Sequence, residues 1–221
     1  IHVSIPDIVS KLCAQYDVKK FIQVSAIGSN PDSQSVYQQT KFQGEQKALT
    51  NFKGTVIIRP SVVVGTEDQF TNLFAKLSMF PVIPVVGINY KFQPIMVNDV
   101  AKAIMRSIKT KNNEGKIYEI GGNKIISFGD MVKLIMTTIN KKRLVIEMPM
   151  PLAKIQATLL SLLPIPPILT TDQCKILSED DNIVSNSYLT LKDLGIEPED
   201  VEKQMSKWLW RYRSGGEFAK T

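Results

Sequence analysis

The sequence predicts an α/β fold built on a doubly wound, mostly parallel sheet, with a smaller mixed α/β region towards the carboxy terminus. Two observations carry this expectation. The apolar runs Phe21-Ile22-Gln23-Val24 and Thr55-Val56-Ile57-Ile58 read as strands covered on both faces, the usual state of parallel strands. Segments of helical periodicity stand before, between and after them, and this alternation is the rhythm of α/β layers.

Each element has its own signal. The chain opens on a helix in which Ser4 is a candidate cap, Pro6 suits an early position, and Ile8, Val9, Leu12 and Cys13 recur at helical spacing. The first strand breaks at the turn-prone Ser25-Ala26-Ile27-Gly28-Ser29-Asn30. Ser35 and Gln38 then stand at capping-box spacing and open a second helix. The second strand is closed by Arg59-Pro60 and released by Gly65, since proline cannot donate into a central ladder. A helix over 69–80 leads into a loop with Pro81, Pro84, Gly87 and Pro94, and Asn98 is a candidate cap for a helix over 99–109. Residues 116–120 read as a strand, Gly121-Gly122 as a turn, and Ser127 with Asp130 as the start of a helix to about 139. Prolines at 149, 151, 164, 166 and 167 bracket an apolar helix over 152–163, a helical turn begins at Thr171-Asp172-Gln173, and Pro198 precedes a last helix ending near 213. The domain division expected is 1–110, 111–213 and a tail at 214–221.

Composition narrows the chemistry. With 221 residues and 43% hydrophobic content, the chain can bury a substantial core. One histidine and two cysteines exclude a multi-histidine metal site, a Cys/His catalytic pair and a disulfide framework, so no metal is assigned. The net charge of +6 suits an acidic partner, but the lysines are scattered and no aromatic-interleaved basic stripe points to nucleic acid. No apolar run reaches the roughly 18–20 residues of a membrane span. The helix over 152–163 carries Lys154 as its only charge and follows Lys141-Lys142-Arg143. It reads either as a lid on its own domain or as a surface meeting a membrane or partner. Trp208 and Trp210, two positions apart on a helix, face apart, so one is expected outside the core.

Tyr37 and Lys41 lie four residues apart and project from one helix face. A nearby ammonium favours phenolate over phenol, so Lys41 is expected to lower the Tyr37 pKa and make it a better acid or base near neutral pH. Ser25 ends a strand, where open α/β sheets place their ligands, and its hydroxyl is a candidate partner for a reacting oxygen. His2 has no evident partner.

The strand ending in Val24-Ser25, the Tyr37-Gln38-Gln39-Thr40-Lys41 run with Glu45, and the strand ending in Arg59-Pro60 with Gly65 together resemble the second half of the short-chain dehydrogenase/reductase pattern. Pro94-Ile95-Met96-Val97-Asn98-Asp99-Val100-Ala101 continues the likeness into the extended members. The residues Pro166-Pro167-Ile168-Leu169-Thr170-Thr171-Asp172-Gln173, Leu177 and Asp181-Asn182-Ile183-Val184 resemble a stretch of the alpha-subcomplex accessory subunit of respiratory complex I and its bacterial relatives.

This resemblance implies a partial Rossmann-like sheet lacking its first strands, because no glycine-rich turn cradling a pyrophosphate occurs in the chain. It implies NADP(H) or NAD(H) as cofactor, with an incomplete site here. Tyr37 and Lys41 would approach the nicotinamide ribose, Pro60, Ser61 and Val62 would line the nicotinamide, and Ser25, Tyr37 and Lys41 would be a vestigial catalytic set. Sugar-nucleotide epimerases carry asparagine at the place of Val62 and often a hydroxyl at that of Ile27, so this sequence departs from them. The implied role is a non-catalytic accessory or assembly component of complex I. The other readings are an active NAD(P)-dependent reductase or epimerase using Tyr37 and Lys41, and an auxiliary protein of ubiquinone biosynthesis. Expected partners are complex I subunits or quinone-biosynthesis proteins, with the amino-terminal half either a separate chain or part of a longer one. The expected location is peripheral, on the mitochondrial matrix side or the cytoplasmic face of a bacterial inner membrane.

Overall fold

A computed structural model describes residues 1–161 and 169–217. Helix α1 (Ser4–Gln15) precedes strand β1 (Phe21–Val24), α2 (Val36–Asn51) and β2 (Thr55–Pro60). With β7 (Ile117–Ile120) these strands form a parallel sheet in the order β1-β2-β7. The doubly wound, parallel expectation therefore holds for the central sheet.

β2 is buried at every position because it is covered twice. Val56 and Ile58 face α4 (Val97–Lys109) in a core with Ile95, Val100, Ala103 and Ile120. The alternate positions face α2, where the Thr55 hydroxyl donates to the Ala48 carbonyl at 2.9 Å and Arg59 meets Glu45. Period-two alternation thus sends β2 residues to two helices, not to a helix and water.

A second core joins α3 (Gln69–Leu77), β4 (Val82–Val86), α5 (Phe128–Thr138) and α8 (Val201–Leu209), with Phe74, Ile83, Met131, Ile135 and Trp208 at its centre. The Trp208 indole donates to the Thr71 hydroxyl at 3.1 Å, while Trp210 is 50% exposed, the outward tryptophan the spacing required. A third, smaller core packs Ala153 and Ala157 of α6 (Met150–Ser161) on Val86 and on Cys174 of α7 (Thr171–Ile176).

Several local readings need correction. Ser4 lies inside α1 and caps nothing; Val3 holds the cap position without a side-chain bond. Asn98 likewise lies inside α4, which starts after Met96. Ser35 accepts from the Gln38 amide as expected, but the Gln38 side chain turns to Ser33 in place of closing the box. The expected loop after α3 contains β4, paired in parallel with β9 (Leu144–Met148), a strand the sequence did not announce. Pro84 fits inside β4 because the Leu144 amide donates to Pro81. Odd-numbered residues of β4 therefore face β9, and the Pro84 nitrogen faces away from the ladder. The last helix begins at Val201, capped by Asp200, and the apolar helix begins at Met150. Residues 162–168, with Leu163, Pro164, Pro166 and Pro167, lie outside the described residues, as do 218–221. Two glycines illustrate where a side chain is not tolerated. Gly28 turns the chain after β1 at φ +85°, and a Cβ on Gly122 would overlap the Pro94 carbonyl.

Candidate functional site at the strand tips

The β1 and β2 tips lie side by side: the Ser25 amide donates to the Ile58 carbonyl at 2.7 Å and the Ile27 amide to the Pro60 carbonyl at 3.1 Å. Ser25, Ile27, Pro60 and Ser61 therefore share one edge. From α2 the Lys41 ammonium reaches the Val24 carbonyl at 3.2 Å, so that side chain arrives at the same edge. Tyr37 lies one turn earlier, with the Lys41 nitrogen 5.9 Å from its ring centre, and is 38% exposed.

The electrostatics differ from expectation. Burial raises the Tyr37 pKa, and the Lys41 ammonium, placed near the ring and hydrogen-bonded to Val24, does not lower it. Burial pushes Lys41 itself down, and Glu45 pulls it back. At neutral pH Tyr37 is a phenol, suited to donating a hydrogen bond, and it is a poor base. Ser25 is buried, and its hydroxyl lies 3.0 Å from that of Ser29. Val62 packs against the second core, and its carbonyl accepts from the Ile95 amide at 2.9 Å.

The carboxy-terminal segment crosses directly over this edge. The Ser61 hydroxyl donates to the Asn182 side-chain oxygen at 2.7 Å, and the Asn182 side-chain nitrogen donates to the Ile27 carbonyl at 3.2 Å. Asn182 thus ties one strand tip to the other. Glu179 accepts from the Gln34 amide at 2.6 Å and from the Ser33 hydroxyl at 2.8 Å. Asp172 accepts from the Ser35 hydroxyl at 2.7 Å and from the Val36 and Tyr37 amides at 2.9 and 3.2 Å. Those two amides are orphan donors of the α2 amino terminus, where a carboxylate is also favoured by the helix dipole. Burial pushes the Asp172 carboxyl up, but these three donors outweigh it and hold the group below the usual aspartate range.

Besides the strap, two contributors escaped the sequence reading. His2 packs edge-on against Tyr37, ring centres 5.3 Å apart, and its Nδ1 lies 3.2 Å from the Thr40 hydroxyl. Beneath the site, Arg59 clasps Glu45 through two bonds of 2.9 and 2.7 Å, contacts Glu119 at 3.3 Å and stacks 4.8 Å from the Tyr188 ring centre. All three partners are distant from Arg59 in sequence, and no local spacing announces the cluster.

A family model described as "RmlD substrate binding domain" matches residues 9–213. The chain belongs to that family. It is 28% identical over 218 residues to a Neurospora crassa protein named "NADH-ubiquinone oxidoreductase 40 kDa subunit, mitochondrial", covering 99% of this chain and 57% of the relative. It is 31% identical over 212 residues to the Arabidopsis thaliana "NADH dehydrogenase [ubiquinone] 1 alpha subcomplex subunit 9, mitochondrial", covering 90% and 52%. The chain thus spans slightly more than half the length of these curated relatives. Among solved structures, a dTDP-4-dehydrorhamnose reductase ortholog from Clostridium acetobutylicum aligns with a TM-score of 0.69 at 15% identity, covering 95% of this chain and 71% of that one. The Bacillus anthracis dTDP-4-dehydrorhamnose reductase in complex with NADP aligns at 0.65 and 16% identity, covering 94% and 70%. The fold is that of the dehydrogenase/reductase group, and these two sequence relatives bear names of the NADH:ubiquinone oxidoreductase complex.

Proposed function

We propose that this chain is part of a dehydrogenase-like accessory or assembly component of respiratory NADH:ubiquinone oxidoreductase, holding NADP(H) as a structural element without turning over substrate. The observation that carries this reading is the strap from Asp172 to Asn182, which spends the hydrogen-bonding groups of the strand tips and of the α2 amino terminus on the protein itself. In this arrangement residues 1–110 supply the nicotinamide side of the pocket and 111–213 its cover. Tyr37 and Lys41 hold the nicotinamide ribose, while Pro60, Ser61 and Val62 form the wall beside the ring. The raised Tyr37 pKa supports a binding role over proton abstraction.

A nucleotide-binding half completes the pocket. β1 pairs only with β2 among the described strands, so its other edge is open. Beside it α1 presents Ile5, Ile8 and Leu12, all exposed and recurring at helical spacing on one stripe. A bare apolar edge of this kind favours continuation of the sheet. The relatives' greater length and the NADP complex of a structural neighbour support the same view. We place the protein peripherally, on the matrix side of the mitochondrial inner membrane or its bacterial counterpart; no described helix is long and apolar enough to cross a membrane.

The test is NADPH oxidation by the protein isolated with its native partners, compared with Tyr37→Phe. A structural role gives retained dinucleotide and no oxidation in the parent, with weaker retention in the variant. Steady oxidation that Tyr37→Phe abolishes would establish the reductase or epimerase reading.

A further inference from the structure

We propose that a second site, an open groove along α3, binds an anionic amphiphile, meaning a carboxylate or phosphate carried on an apolar chain. The groove measures about 1330 Å³ and is bounded by α3, Lys141 and residues 211–215. None of the strand-tip residues lines it, so it stands independently of the dinucleotide reading. Small-molecule pockets commonly measure roughly 300–1,000 Å³, so the groove has room for a ligand of that class.

Cationic and apolar side chains lie side by side within it. Phe70, Leu73 and Met79 give the groove apolar surface, and Met79 is 65% exposed. Lys76, Lys141 and Arg213 are the cations to consider, and none has a carboxylate within ion-pair distance among the described residues. Lys141 donates to the Ser78 hydroxyl at 3.1 Å and Arg213 to the Thr138 carbonyl at 2.9 Å, both neutral acceptors. On the acidic side, Asp68 is committed to capping α3, accepting from the Thr71 amide and hydroxyl and from the Gly65 amide. Glu67 is the remaining acidic group on the lining. Lys76, Lys141, Arg211 and Arg213 outnumber Glu67 and Asp68 on the lining, so positive charge exceeds negative there, and it lies beside apolar surface. A bare inorganic anion would leave the apolar surface uncovered, and a neutral hydrocarbon would leave the cations unanswered. An anionic head on an apolar chain satisfies both.

Isothermal titration of the protein with dodecyl phosphate below its micelle concentration tests this, with inorganic phosphate and dodecanol as single-feature probes. The expected result is saturable dodecyl phosphate binding, with each single-feature probe weaker by at least about tenfold. Lys76→Glu combined with Lys141→Gln should weaken binding at least about tenfold, as should Met79→Asp separately, while melting temperatures confirm that both variants fold. Co-sedimentation with phosphatidylglycerol vesicles distinguishes the source: sedimentation lost in the double variant assigns a lipid headgroup, and its absence alongside dodecyl phosphate binding assigns a free amphiphile. Failure of dodecyl phosphate to bind, equal affinity in parent and folded variants, or inorganic phosphate binding as tightly as dodecyl phosphate would overturn the proposal.

Discussion

β2 and β9 are parallel strands of nearly equal length in opposite surroundings. All six residues of β2 are buried between α2 and α4, whereas β9 has three exposed and two half-buried residues and pairs with β4 alone among the described strands. β2 fixes the strand tip bearing Pro60 and Ser61 and carries the buried Arg59. β9 presents Leu144, 62% exposed, and Ile146, 41% exposed, on an outer face. The difference shows where the fold is held rigidly: at the sheet that positions the site, and much less at the two-stranded ribbon beside it.

The largest effect should come from Arg59→Met. Glu45 and Glu119 would be left buried without their cation, and losing one partner of a buried pair costs about 3–5 kcal/mol, read as a shift in denaturation midpoint. Next, Ile58→Ala should cost about 2–5 kcal/mol, since the side chain is fully buried. Ile146→Ala should stay within about 0.5 kcal/mol, as substitutions on open surface do. Equal losses at Ile58 and Ile146 would break the contrast.

This contrast also explains what the sequence made legible. Val56-Ile57-Ile58 is an unbroken apolar run because both of its faces are covered, so composition alone reveals it. Leu144-Val145-Ile146-Glu147-Met148 follows three basic residues and includes an acid, and its partner β4 contains Pro84, which argues against a strand unless the edge geometry is known. In the site, Tyr37, Lys41 and Ser25 were readable from local spacing and strand ends. The strap was not. Asp172 and Asn182 reach residues more than a hundred positions earlier, and no local pattern encodes such contacts. The opposite sign at Tyr37 has the same origin, because burial is a tertiary property, and here it outweighs a charge that spacing had placed nearby.

The strap sharpens the comparison at smaller magnitude. Asp172→Asn should cost about 1 kcal/mol, since a carboxylate at a helix amino terminus contributes roughly that much. Its lowered pKa gives the pH dependence a definite sign. An aspartate that binds its proton less readily in the folded state stabilises the fold above about pH 4, and that contribution disappears as the pH falls through the folded value. Denaturation of parent and variant should therefore differ at neutral pH and converge in acid. Smallest of all, Tyr37→Phe should change stability by less than about 0.5 kcal/mol, because the ring is partly exposed and its hydroxyl makes no hydrogen bond among the described residues. Under the proposed role its effect is expected on dinucleotide retention.

Native electrophoresis of respiratory membranes containing the tagged protein, with dinucleotide measured on the excised band, is the most direct single measurement. The expected result is migration with the NADH:ubiquinone oxidoreductase band, together with bound NADP(H) that Tyr37→Phe depletes without releasing the protein from the band. Migration apart from that band would contradict the proposed role.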